Sequence, residues 1–201
     1  MPPLHQLSSP HLKLPPVMFG TMTFGAEADR ATSHRMVDHC VDRGVRWFDT
    51  ANVYNDGRSE ELVGEAIRKH RGAVSVSTKV RFSADRDNPH RATGPTGLSR
   101  DGIREALHGS LSRLGIEYID LYILHAPDYN VPIEETLGVL SELRDEGKVG
   151  HIGVSKHAAW QLAALQGESA RIGAPQVAAA QTLYNVISRN VEHEFLDASS
   201  A

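Results

Sequence analysis

Apolar residues fall along the chain in two alternating rhythms. Short apolar runs at Val17–Gly20, Val45–Asp49, Val74–Lys79, Ile119–His125, Gly150–Val154 and Val177–Gln181 predict strands. Several are continuous rather than alternating, the pattern of strands buried on both faces of a parallel sheet. Between them the spacing changes to that of helices. Met36, Val37, Cys40 and Val41 make one stripe, closed by Gly44 in the position after the last turn. Ser59 reads as the N-cap of a second helix, with Glu60 and Glu61 at the positive end of its dipole and Leu62, Val63, Ala66 and Ile67 facing inward. Ser99 caps a third, with Ile103, Leu107, Leu111 and Leu114 on one side before Gly115. Pro132 opens a fourth, lined by Ile133, Leu137, Leu140 and Leu143, and a fifth runs around Ala158–Leu165.

One strand and one helix recur about every thirty residues, the length of a βα unit. The predicted fold is therefore α/β, of the (β/α)8 TIM-barrel type, in a single domain over residues 1–201. Closing such a barrel normally takes about 250 residues. The final segment, from Asn190, starts like a helix and reaches no seventh strand, so the expectation is an incomplete barrel with about six of eight units. One segment breaks the rhythm: Arg81–Leu98 is long, polar and rich in Pro, Gly and Asp, and reads as a substrate-side flap.

Composition narrows the classes. The 40% hydrophobic and 23% charged fractions are those of a soluble globular protein. A net charge of −4 gives no electrostatic case for nucleic acid or for an anionic membrane surface. No window approaches the roughly eighteen apolar residues of a membrane span, and Met1–Pro16 lacks the apolar core of a signal peptide. Cys40 is the only cysteine, on an apolar stripe where a buried, inert thiol is expected. A cytoplasmic location fits this set.

The candidate chemistry sits at strand ends. Asp49, Tyr54, Lys79 and His125 lie at or just past the carboxyl ends of three predicted strands. In a parallel barrel those ends converge on one face, and that face carries the chemistry. Singly, each residue has an ordinary reading as cap, packing residue, solvated edge or core histidine. Together they supply a carboxylate, a phenol, an ammonium and an imidazole. Reducing a carbonyl by hydride requires an acid that quenches the developing alkoxide. An ammonium about 4 Å from a phenol, at an effective dielectric near 20, favours the phenolate by up to about 4 kcal/mol. Lys79 can supply that field for Tyr54, Asp49 can hold Lys79 charged, and His125 can orient the carbonyl oxygen.

Other chemistries find less support. No glycine-rich dinucleotide fingerprint follows a strand into a helix, and no P-loop is present. The 11 histidines do not pair with each other, with Cys40 or with carboxylates at ligand spacing, so no metal site is expected.

The strand-end motifs resemble those of the aldo-keto reductase superfamily, and within it the branch of the aflatoxin-aldehyde and succinic-semialdehyde reductases. The carrying segments are Phe19-Gly20-Thr21-Met22, the run from Phe48 through Asp49 to Tyr54, Ser77-Thr78-Lys79, and Asp120 through His125 to Asp128. Glu146-Gly147-Lys148, Gly153-Val154-Ser155 and Gln181 through Asn185 continue the likeness, which runs from about Val17 to Asp197. The resemblance implies Tyr54 as general acid, Lys79 and Asp49 as its tuning pair and His125 as the carbonyl-orienting group. It implies NADPH as cofactor, with Gly20, Thr21 and Asp49 beside it and Ser155 and Gln181 on its nicotinamide amide. The substrate would be a small-molecule aldehyde or ketone, and the branch includes homodimers.

Two departures qualify that expectation. Lys156 stands where the family usually has a second amide-binding asparagine. The aromatic that stacks on the nicotinamide and the groups that grip the adenosine phosphate belong to strands 7 and 8, which this sequence does not reach. The sequence therefore leaves two further readings open. One is a non-catalytic truncated fragment, inactive alone or docking on a partner chain. The other is a different barrel enzyme using Lys79 as a Schiff base.

Overall fold

The computed structural model describes residues 12–82 and 97–200. Six strands form one sheet in sequential order, every neighbouring pair parallel. They are β1 (Phe19–Gly20), β2 (Trp47–Asp49), β3 (Ser75–Val80), β4 (Ile119–Leu124), β5 (Val149–Ser155) and β6 (Val177–Gln181). Helices α1 (Arg30–Asp42), α2 (Arg58–Ile67), α3 (Arg100–Leu114), α4 (Ile133–Asp145), α5 (Ala159–Ile172) and the short α6 (Phe195–Ser200) alternate with them. The result is a half-barrel, the incomplete (β/α)8 architecture that the spacing predicts.

Parallel strands need long crossovers, and amphipathic helices supply them while covering the outer face of the sheet. Phe48, Val76, Val80, Tyr122, Leu124, Ile152 and Val154 point outward into a core shared with Val37, Leu62, Ile103, Leu107, Leu140 and Leu162. The alternate residues point inward. Trp47, Leu121, Ile123 and Ala179 make a second cluster inside the curl, and Leu12, Leu14 and Met18 pack against it. Trp47 of β2 and Ala179 of β6 belong to this one cluster, and Gln181 of β6 hydrogen-bonds Asp49 of β2, so the sheet is strongly curved.

The first strand is shorter than predicted, because Met18 turns into the inner cluster and only Phe19 and Gly20 pair with Phe48 and Asp49. The Ser59 cap is also corrected. Gly57, at φ 84°, precedes α2 instead, and the Ser59 hydroxyl bonds Thr21 and Thr50. Glu60 does more than face a dipole. It is fully buried, accepts from the Thr78 hydroxyl at 2.5 Å and pairs with Arg113 at 2.7 Å, tying α2 to β3 and α3. Ser99 caps α3 and Gly115 closes it in the left-handed conformation, as predicted. Met36 is exposed while Val37 is fully buried, so the α1 stripe is rotated from the expected one. Cys40 is half-buried, and burial pushes its thiol pKa up. Of the predicted flap, residues 83–96 lie outside the described residues. Among the described residues no helix is long and apolar enough to cross a membrane.

Candidate active site

The register of the sheet assembles the site. Asp49 pairs with Ser77, Lys79 with Ile123, Ile123 with Gly153, and Ser155 with Gln181. Side chains alternate along a strand, so Asp49, Ser77, Lys79, Ser155 and Gln181 all face the inside of the curl, at its carboxyl end. His125 follows Ile123 by two residues and takes the same face.

Tyr54 arrives by a different route. It begins a tight turn, Tyr54–Gly57, a short loop beyond the end of β2. Asn55 and Asp56 adopt left-handed backbone, φ 49° and 55°, which short polar side chains tolerate. The Asn55 amide donates to the carbonyls of Met22 and Phe24 at 2.8 Å each, fastening the turn to the loop after β1.

At the centre lies the Lys79 ammonium, 1% exposed. It donates to Asp49 Oδ2 at 2.6 Å, to the Thr50 carbonyl at 2.8 Å and to Tyr54 Oη at 3.1 Å. Three donors thus meet three acceptors, and the buried charge is both paired and fully hydrogen-bonded, the condition for keeping an ion in a protein interior. Asp49 is held in turn: Ser77 Oγ donates to its Oδ1 at 2.6 Å, and Gln181 Nε2 to its Oδ2 at 3.3 Å. Trp47 Nε1 donates to Ser77 Oγ at 3.3 Å, completing the chain of support.

His125 closes the other side. Its ring stands edge-on to Tyr54, centroids 5.9 Å apart, and to Phe82 at 5.2 Å. Burial, then the positive charges of Lys79 and Lys156, lower its pKa to about 3, so the imidazole is neutral at physiological pH. Its Nδ1 is buried and has no hydrogen-bond partner among the described residues. A neutral imidazole with unused hydrogen-bonding capacity beside a phenol suits an uncharged polar ligand atom better than a fixed structural role.

The structure thus brings Asp49, Tyr54, Lys79 and His125 together. It also gives a role to Ser77, which the motif Ser77-Thr78-Lys79 contains without assigning one: its hydroxyl holds Asp49. Ser77 shares the two-residue parity of Lys79 and was findable from that periodicity.

The residues expected near a cofactor divide. Ser155 lies at the mouth, 5% exposed, and its hydroxyl makes no hydrogen bond with a described residue. Gln181 uses its amide nitrogen on Asp49 and keeps its oxygen available. These two offer the donor and acceptor that a carboxamide requires, so the site fits a nicotinamide. Gly20 is exposed, with open space where a side chain would stand. Thr21 is fully buried, and its hydroxyl donates to the Asp49 carbonyl and meets Ser59 Oγ, which makes it a support of the β2 end. Lys156 is exposed in left-handed backbone, φ 58°, with Nζ 5.4 Å from the Phe82 ring centre. Among the described residues no three His, Cys, Asp or Glu side chains are grouped to hold a metal ion.

Sequential parallel strands with ionisable groups at their carboxyl ends define the class: a βα half-barrel with a charged mouth. Sequence comparison refines it. A profile of the Aldo/keto reductase family matches residues 16–201. The chain is 32% identical to the versiconal hemiacetal acetate reductase of Aspergillus parasiticus, across 95% of this chain and 62% of that protein. It is 34% identical to aflatoxin B1 aldehyde reductase member 2 of Mus musculus, across 97% of this chain and 51% of that protein. It is 35% identical to a probable voltage-gated potassium channel subunit beta of Arabidopsis thaliana, across 92% and 56%. The chain belongs to the aldo/keto reductase family, and it spans roughly half to three-fifths of the length of these relatives.

Proposed function

We propose that the chain carries the proton-donating half of an NADPH-dependent carbonyl reductase acting on aldehydes or ketones, with Tyr54 as general acid. The observation that carries this reading is the Lys79 ammonium bridging the Asp49 carboxylate and the Tyr54 phenol. NADPH, when bound, supplies the hydride. Gly20, Ser155 and Gln181 would hold it, Ser155 and Gln181 through its carboxamide.

The chain's own residues do the rest. His125, neutral, orients the substrate oxygen toward Tyr54. As the carbonyl carbon is reduced, its oxygen gains negative charge and takes the Tyr54 proton. The phenolate left behind lies 3.1 Å from Lys79 Nζ, which is itself buried, so the opposite charge acts at short range and with little screening. Asp49 keeps Lys79 in place during the transfer, and Tyr54 regains its proton from solvent.

The test is consumption of NADPH with a panel of small aldehydes, on this chain and on a version carrying two further strand–helix units. Tyr54→Phe should lower kcat/KM by about 10²–10⁴-fold, the usual share of general acid catalysis, and leave NADPH affinity unchanged. A Tyr54→Phe variant as active as the parent would refute the assignment.

A further inference from the structure

A second candidate site lies outside the curl, between α4 and α5 beneath the loop that follows β4. It is a cavity of about 200 Å³. Leu98, Leu124, Val131, Ile133 and Leu165 give it apolar walls, and Tyr129 and Trp160 stand at its rim, 79% and 65% exposed. Large aromatic rings left in solvent beside an apolar cavity are the arrangement that flat apolar ligands use. A dry apolar cavity of about 150 Å³ is already enough to hold benzene.

The polar atoms of the lining fix the ligand further. Asp128 is occupied, its oxygens accepting from the backbone of Leu98 at 3.0 Å and Asn130 at 3.1 Å. Thr136 donates to the Leu98 carbonyl at 3.0 Å, and Gln161 is used at both ends, on the Ala158 amide and the Tyr129 hydroxyl. His157 differs. It is 7% exposed, and its Nδ1 lies 2.8 Å from the Ser155 carbonyl. A carbonyl only accepts, so Nδ1 carries the hydrogen and Nε2 is left with a lone pair. Nε2 makes no hydrogen bond with a described residue. Burial lowers the pKa of this imidazole, which keeps that lone pair free.

We propose that this cavity binds a small aromatic molecule bearing one hydrogen-bond donor, a phenol or a comparable ring alcohol, with the ring between Tyr129 and Trp160 and the donor on His157 Nε2. The bound ligand would be one hydrogen-bonded ring away from Ser155, at the mouth of the other site. This inference does not depend on the proposed reductase activity.

The test is titration of the 201-residue chain with phenol and with toluene, followed by Trp160 emission against a Trp160→Phe control. Phenol should give a saturable change, and toluene, of similar size but without a donor, about tenfold weaker binding. His157→Phe should reduce phenol to the toluene level. Ala164→Phe fills the cavity from the exposed side of α5 and should abolish the signal, with far-UV circular dichroism and thermal unfolding checking that the variant folds. Calorimetric titration of phenol into the parent and the His157→Phe chain supplies the same comparison if the Ala164 variant does not fold. No saturable change with phenol, equal affinity for toluene, or undiminished binding in a folded Ala164→Phe chain would each overturn the proposal.

Discussion

Gln181 Nε2 donates to Asp49 Oδ2 at 3.3 Å although 132 residues and four strands of register separate them. The contact exists because the sheet curls, bringing the inner face of β6 over that of β2. Asp49 therefore accepts from Ser77, Lys79 and Gln181 together. Replacing it with asparagine turns one acceptor oxygen into a donor and leaves the Lys79 ammonium, 1% exposed, without a counter-ion. Asp49→Asn should lower unfolding stability by about 3–5 kcal/mol, the usual result of breaking a buried pair from one side. Urea denaturation at neutral pH measures it. A loss well below 1 kcal/mol would mean that Lys79 reaches solvent more easily than its burial indicates.

His125 makes a second prediction, in pH. Its pKa is about 3 when folded, against an ordinary value of 6.5. Above pH 6.5 the imidazole is neutral in both states and adds no pH dependence. As pH falls from 6.5 toward 3, the unfolded chain takes up a proton that the folded chain refuses, so stability is lost on acidification. The limiting slope is about 1.4 kcal/mol per pH unit, giving a loss of somewhat over 3 kcal/mol by about pH 4. Carboxylates titrate in the same range, so the measurement is the difference between the parent and His125→Asn. The two stability curves should run parallel above pH 6.5 and converge or cross below it; parallel curves down to pH 4 would show that His125 is readily protonated in the folded chain.

The sequence announced the strands better than the way they are buttressed. β6 matches its predicted bounds, and β3, β4 and β5 differ by one or two residues at their ends. Their continuous apolar runs leave little ambiguity. Asp49, Lys79 and His125 were visible because a strand end in a parallel barrel faces one mouth. The order within that mouth was not visible. Which side chain holds Asp49, and that Gln181 reaches it, depends on sheet curvature, which no local pattern encodes. Ser59 shows the limit most clearly. As the hydroxyl residue opening an amphipathic stripe it reads as a cap, yet Thr21 and Thr50, distant or facing away in sequence, claim its hydrogen bonds.

Glu60 carries a third prediction from that hidden layer. Its carboxylate is fully buried between the Thr78 hydroxyl and the Arg113 guanidinium. Arg113→Met removes the only cation that an ion pair gives Glu60 among the described residues. The charge stays buried, so the cost should be about 3 kcal/mol or more. The double variant Arg113→Met with Glu60→Gln should recover much of it, because the stranded charge is gone. A double variant no more stable than Arg113→Met would place the loss in the packing of the arginine stem against α2 instead.

Gly64 gives a prediction whose sign the sequence alone would get wrong. It sits inside α2, where glycine costs a helix about 1 kcal/mol relative to alanine, so Gly64→Ala should on helix propensity be stabilising. The structure reverses the expectation. A Cβ added at Gly64 would overlap the backbone carbonyl of Leu114, at the last turn of α3. Backbone cannot swing aside as a flexible side chain does, so the two helices must separate. That separation also pulls Arg113 from Glu60 and opens the layer beneath Leu62 and Leu107, both buried there. Overpacking of this kind typically costs about 1–3 kcal/mol, more than the propensity gain. Gly64→Ala should therefore lower the thermal midpoint, while Gly138→Ala in α4, where nothing lies within 4 Å of the new methyl group, should hold or raise it. If both alanines raised the midpoint alike, α2 and α3 would not be in the close backbone contact that positions the Glu60–Arg113 pair.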